Sequence, residues 1–199
     1  MNRQTMLRNL TPLFAALLAL SACSDSAPAE PPLAGAAIGG DFTLTGEDGD
    51  PVSWGDFAGQ YRTVYFGYAY CPDVCPRDTG NAMLGLKAFE KDHPQLGAKI
   101  QPLFISVDPE RDTPAVLKEF TANFHRRLLG LTGTKEQLDA VTKEFAATYS
   151  IGEKQDGGGY LVGHTNITYL FGPEGKPLAM LPTDEGPAAV AAELEKWVH

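Results

Sequence analysis

Apolar residues change their spacing several times along the chain, and each change marks an element. Thr63–Tyr68 and Ile100–Val107 are short, almost continuous apolar runs, as expected of strands buried on both faces. Between them Ala82, Leu86 and Phe89 recur at helical spacing, which predicts a helix over about Arg77–Lys91. Thr113 reads as the N-cap of the next helix, with Pro114 at its first position and Leu117, Phe120 and Phe124 on its inner side. Leu128–Leu131 reads as a short strand. Thr134 and Gln137 match a capping box for a helix whose buried stripe is Leu138, Val141 and Phe145. After a loop at Gln155–Gly159, Thr165–Phe171 and Pro177–Leu181 form a hairpin through Pro173-Glu174-Gly175. Val190, Leu194 and Trp197 give a closing amphipathic helix. Near the start, Phe42–Leu44 and the region around Val52 flank the turn cluster Gly46–Asp50, a small hairpin.

A parallel strand pair joined by a crossover helix, then an antiparallel hairpin and a last helix, describes a thioredoxin-like α/β sandwich. Here it carries an N-terminal β-hairpin extension. The 199 residues, 43% of them hydrophobic, suffice for one such domain with a core.

The first residues follow another pattern. Arg3 and Arg8 precede an apolar run, Leu10–Leu20, and no acid occurs before Asp25, the layout of a secretory signal. The run falls short of the ~20 residues of a membrane span. Leu20-Ser21-Ala22-Cys23 resembles a bacterial lipoprotein box, which makes Cys23 the expected lipidated residue. The expected organisation is a signal peptide over 1–22, a flexible tether rich in Ala and Pro over 23–37, and the thioredoxin-like domain over 38–199. The expected place is outside the cytoplasm, anchored to a membrane through lipid. That compartment is oxidising, so two cysteines can exist there as a disulfide. Formal charge is −9, falling to −11 once Arg3 and Arg8 are removed with the leader. Such a balance argues against nucleic-acid partners and leaves membrane attachment to acyl chains.

Chemistry concentrates in Tyr70-Cys71-Pro72-Asp73-Val74-Cys75-Pro76. Cys71 and Cys75 are the only cysteines after Cys23, and they follow the Thr63–Tyr68 strand, so both sulfurs should lie at the mouth of a sheet. Residues four apart on a helical turn share a face, with Cβ atoms ~5–6 Å apart, which lets both sulfurs address one ion. A helix beginning near Cys75 would add partial positive charge and favour thiolate. His164 stands just before the Thr165–Phe171 run. Two soft sulfurs and one imidazole suit a thiophilic metal, above all copper(I). Structural zinc prefers four protein ligands, and only three are found. A Cys71–Cys75 disulfide serving only as a staple would close a very small ring, worth only ~2 kcal/mol.

Other candidates read as ordinary. His93, His125 and His199 are expected to be solvated, Met83 and Met180 to be core or surface filler, and Asp73 to be an exposed turn residue. Asp108 and Arg111 are expected to pair and brace the loop near the cysteines.

Three motifs together resemble the SCO/SenC family: Phe66 to Pro76, Ser106-Val107-Asp108-Pro109-Glu110-Arg111-Asp112-Thr113-Pro114, and Gly163-His164-Thr165. The likeness spans about Gly39–Val198. It implies a membrane-tethered thioredoxin-like domain that binds copper through Cys71, Cys75 and His164. It also implies a role in building the binuclear copper site of cytochrome c oxidase, with that enzyme's copper-site subunit as partner. Copper(I) is the expected cargo, and copper(II) with an added oxygen ligand is a second state. A disulfide between Cys71 and Cys75 cannot hold metal in this way, so a thioredoxin-like reductase is a further expected partner. Tyr70 stands where many members have another residue. Gly163 replaces an aspartate often found before the histidine, removing a side chain that would orient the imidazole.

The alternative is an exported thiol–disulfide oxidoreductase, in which Cys71 attacks and Cys75 resolves. Enzymes of the thioredoxin type place a cis-proline just before the hairpin. This chain has no proline between Pro114 and Pro173, and His164 stands near that place. The carrier reading is therefore preferred over an enzyme. A peroxiredoxin-like reading fails on the residues before Cys71, which lack the Pro-x-x-x-Thr/Ser-x-x-Cys pattern.

Overall fold

A computed structural model describes residues 30–199. The signal peptide, Cys23 and the first part of the expected tether lie outside the described residues. Leu33 donates its N–H to the Leu178 carbonyl at 3.0 Å and packs on the core, so the docked chain begins upstream of Ala37. Among the described residues no helix is long and apolar enough to cross a membrane.

Strands β1 (Thr43–Gly46) and β2 (Pro51–Ser53) form the expected N-terminal hairpin. β3 (Tyr61–Gly67) and β4 (Ile100–Ser106) are the parallel pair, connected by α1 (Val74–Asp92) and the single turn α2 (Pro94–Gly97). α3 (Pro114–Ala122) leads to β5 (Leu129–Thr132), parallel to β4. α4 (Lys135–Glu144) follows, capped as foreseen: Gln137 N–H donates to Thr134 Oγ1, and Gln137 Oε1 accepts from Thr134 N–H. A two-stranded ribbon, β6 (Tyr149–Ile151) with β7 (Val162–His164), precedes β8 (Thr168–Phe171), β9 (Pro177–Leu181) and α5 (Pro187–Trp197). The main sheet runs β2-β1-β5-β4-β3-β8-β9.

Side-chain alternation along β3 separates the two faces. Tyr65 meets its β4 partner Phe104, which stacks on Phe120 of α3, and Tyr61 reaches His199 just beyond α5. Phe66, on the opposite face, meets Phe145 at the end of α4. Helices α1, α3 and α5 therefore share one face, and α4 covers the other. α1 and α5 touch closely because residue 85 is glycine. A Cβ there would come within 2.6 Å of Val190.

Two expectations change. The strand expected from Thr165 begins only at Thr168, because the chain first completes the β6–β7 ribbon. The helix expected from Arg77 begins at Val74. Pro76 is tolerated there, since a first-turn N–H has no intrahelical partner to lose.

Candidate metal centre

The early start of α1 places Cys75 in its first turn, directly over the end of β3. Gly67 leaves room for it: a Cβ at that position would lie 3.2 Å from Cys75 Sγ and 2.8 Å from the Tyr65 ring. In the intervening turn, Cys71 N–H donates to the Tyr68 carbonyl at 3.2 Å, and Ala69 N–H to Asp112 Oδ2 at 2.9 Å. The expectation that both sulfurs sit at the mouth of the sheet needs correction. Cys75 is 0% exposed within the hydrophobic core and Cys71 is 9% exposed, because α1 folds back across the strand end. Of the two cysteines Cys71 borders an open cleft of ≈ 350 Å³ between Pro72 and Leu161, which His164 also lines.

His164 reaches this point from the end of β7, where it pairs with Tyr149. Its ring lies edge-on to Tyr65 and Tyr68, each with centroids 5.9 Å away. Nδ1 is 3.2 Å from the Thr165 carbonyl and Nε2 is 3.0 Å from Cys75 Sγ. A carbonyl can only accept, so Nδ1 carries the proton and Nε2 turns its lone pair toward the sulfur. The orienting contact that Gly163 cannot supply thus comes from a backbone oxygen. The donor atoms of Cys71, Cys75 and His164 all lie within 4.8 Å of one another, and both cysteines are free thiols.

The two sulfurs differ electrostatically. Burial pushes the Cys71 thiol up, but N–H donors from Asp73 and Cys75 outweigh it and hold the group below its usual value. Burial dominates at Cys75 and pushes it well up. The helix-start argument that favoured thiolate at both positions therefore holds for Cys71 only. Desolvation lowers His164, which keeps the imidazole neutral and its lone pair available.

Asp108 and Arg111 pair at 2.5 Å, as expected. The guanidinium also lies 3.7 Å from the Tyr160 ring centre and faces the rings of Tyr68 and Tyr70 more distantly. Asp112 was missed. It is fully buried, accepts from Ser106 Oγ as well as Ala69 N–H, and burial raises its pKa to about 6. Its position after a strand end was the available signal, masked by the cap at Thr113. Asp73, His93 and His199 are exposed, Met83 is core and Met180 surface. His125 is not solvated. It is buried between Glu90 and Arg127, because the turn after α3 folds onto α1.

A thioredoxin-like scaffold with two thiols and a bare imidazole nitrogen facing one point defines a class of thiophilic-metal and thiol-exchange proteins. The SCO1/SenC family model matches residues 30–199, and the chain belongs to that family. Protein SenC of Rhodobacter capsulatus is 45% identical over 159 residues, covering 79% of this chain and 69% of that protein. The human protein named "Protein SCO1 homolog, mitochondrial" is 37% identical over 157 residues, 79% of this chain and 52% of that one. The chain spans about half the length of the mitochondrial relatives it matches. Among solved structures, Bradyrhizobium japonicum ScoI with copper bound superposes with a TM-score of 0.73 at 34% identity, over 81% of this chain and 100% of that one.

Proposed function

We propose that this protein is a copper carrier that holds copper(I) through Cys71, Cys75 and His164 and hands it to the binuclear copper site of cytochrome c oxidase. The observation that carries the reading is the meeting of three donors from two remote segments, with His164 Nδ1 set against a carbonyl and Nε2 3.0 Å from Cys75 Sγ. The donor set fits the cargo, since sulfur and imidazole favour copper(I), and fewer than four protein ligands leave an approach for a client thiol. Cys71, beside the cleft and the more acidic thiol, is the sulfur a client meets first. The copper-bound relative supports the choice of metal.

The reading extends to the rest of the chain. An acyl group on Cys23 anchors the domain to a membrane outside the cytoplasm, and a thioredoxin-like reductase returns a Cys71–Cys75 disulfide to the dithiol that binds metal. Anaerobic copper(I) titration of the reduced protein against a chromophoric chelator tests the core of this account. One ion is expected per chain, with tight binding lost in Cys71→Ala and in Cys75→Ala. Full-affinity binding by either variant would overturn the ligand set.

One observation favours thiol exchange as a second reading. Cys71 is acidified and borders the cleft, while Cys75 is buried with its proton held, the division of labour between attacking and resolving thiols. In that case Cys71 thiolate attacks a substrate disulfide, releasing one substrate thiolate. Cys75 then displaces the other and leaves a Cys71–Cys75 disulfide. A His164→Ala variant that reduces a disulfide peptide at the wild-type rate, with or without copper, would make this the main role.

A further inference from the structure

Taking the carrier reading as its basis, we infer that the loop Asp108–Asp112 is a positioning strut that fixes the separation between the cysteine turn and the histidine ribbon. Two carboxylates on this one loop hold the two segments separately. Asp112 Oδ2 accepts the Ala69 N–H at 2.9 Å, two residues before Cys71. Asp108 Oδ1 accepts the Tyr160 hydroxyl at 2.6 Å, four residues before His164. Both carboxylates are 0% exposed, and Tyr160 is buried too.

The loop between these contacts is itself rigidly tied. Ser106 Oγ donates to Asp112 and accepts the Asp108 N–H at 3.0 Å. Arg111 and Asp112 N–H groups return to the Asp108 carbonyl at 3.2 and 2.9 Å. Arg111 pairs with Asp108 Oδ2 and lies over the Tyr160 ring, so it clamps the same arm twice. α3 begins immediately after, with Thr113 as its cap. A displacement of either arm must therefore break a buried, charge-assisted hydrogen bond.

The histidine arm needs such an anchor. β6 and β7 are three residues each, and the connection between them is exposed, with Gly157 and Gly158 at positive φ. An isolated two-stranded ribbon is marginal by itself. Tyr160 is the buried residue through which this ribbon reaches the loop after β4; the other link, Lys154 Nζ to Glu110 Oε2 at 4.0 Å, is exposed to solvent and weak. Without it, the three donors would still share a fold but not a fixed distance, and the cost of gathering them would come out of metal affinity.

Tyr160→Phe removes one hydroxyl and keeps the ring under Arg111. Asp112→Asn keeps the shape and removes the charge. Amide hydrogen exchange of the reduced, metal-free protein separates the arms without relying on copper. Tyr160→Phe is expected to speed exchange of Gly152 and Thr165, whose N–H groups bond to Leu161 and Thr148, roughly tenfold, while Cys71 N–H stays within about twofold. Asp112→Asn is expected to do the reverse. Each variant is also expected to bind copper(I) roughly tenfold more weakly. Exchange that rises equally in both arms, or copper(I) affinity unchanged in Tyr160→Phe, overturns the strut. Should Asp112→Asn fail to fold, Tyr160→Phe decides alone. A wild-type protein that fails to bind copper while the two arms still respond separately would sink the carrier reading and leave the strut standing.

Discussion

Two histidines in two regions of the molecule, His125 buried and His164 half-buried, use their ring nitrogens to different ends. At the turn after α3, His125 Nδ1 accepts the Arg127 N–H at 3.1 Å and Nε2 faces Glu90 Oε2 at 3.3 Å. Both ring nitrogens are engaged within the protein, and Glu90 also pairs with Arg127. At the end of β7, His164 gives its Nδ1 proton to a carbonyl and leaves Nε2 facing a thiol. Burial lowers the pKa of both, so the pKa does not tell them apart. What separates the structural histidine from the proposed ligand here is the tautomer its backbone contact imposes, together with soft donors in front of the bare nitrogen.

The sharpest way to break this contrast is to remove each ring. His164→Ala is expected to weaken copper(I) binding by at least roughly a hundredfold, as loss of a ligand rather than of an outer contact requires. His125→Ala should leave affinity unchanged and instead lower stability by about 1–3 kcal/mol, through an unpartnered buried polar group. Chelator competition and urea unfolding read the two effects. Next in size is the difference between the thiols. At pH 7 Cys71 should alkylate more than roughly tenfold faster than Cys75, with a rate that levels off below the ~8.5 of a free cysteine. Peptide mapping after timed iodoacetamide treatment checks this.

Glu90→Gln sharpens the structural side. It leaves the buried His125 and the half-buried Arg127 without their carboxylate, and unfolding should show a loss of about 1–3 kcal/mol with copper affinity intact. Smallest is the pH effect. Burial holds His125 below its ordinary value, so on acidification the unfolded chain takes up the proton first. The stabilisation is full above pH ~6.5 and is lost as pH falls below it. Between pH 7 and pH 5.5, wild-type Tm should fall by about 2–4 °C more than that of His125→Gln.

What could be read from sequence follows the range of the interactions involved. The N-terminal hairpin, the cap at Thr113 and the box at Thr134 and Gln137 are set by residues within a few positions, and each is where local pattern put it. The β6–β7 ribbon escaped because strands of three residues, most of them exposed or half-exposed, are too short to carry a readable alternation. The setting of His125 escaped because its partner Glu90 is 35 residues away. Cys71, Cys75 and His164 were legible as residue types suited to one metal, and the fold brings them together. The unequal thiols were not legible, since they depend on how far α1 covers the end of β3. Asp112 and Tyr160 were hidden for the same reason, their partners lying 43 and 52 residues away.

The claim that three side chains share one cation is tested most directly by X-ray absorption at the copper edge of the reduced, copper(I)-loaded protein. Two sulfur scatterers and one imidazole nitrogen are expected, with the nitrogen contribution gone in His164→Ala. A first shell of two sulfurs alone in the wild-type protein, unchanged in that variant, would contradict the account.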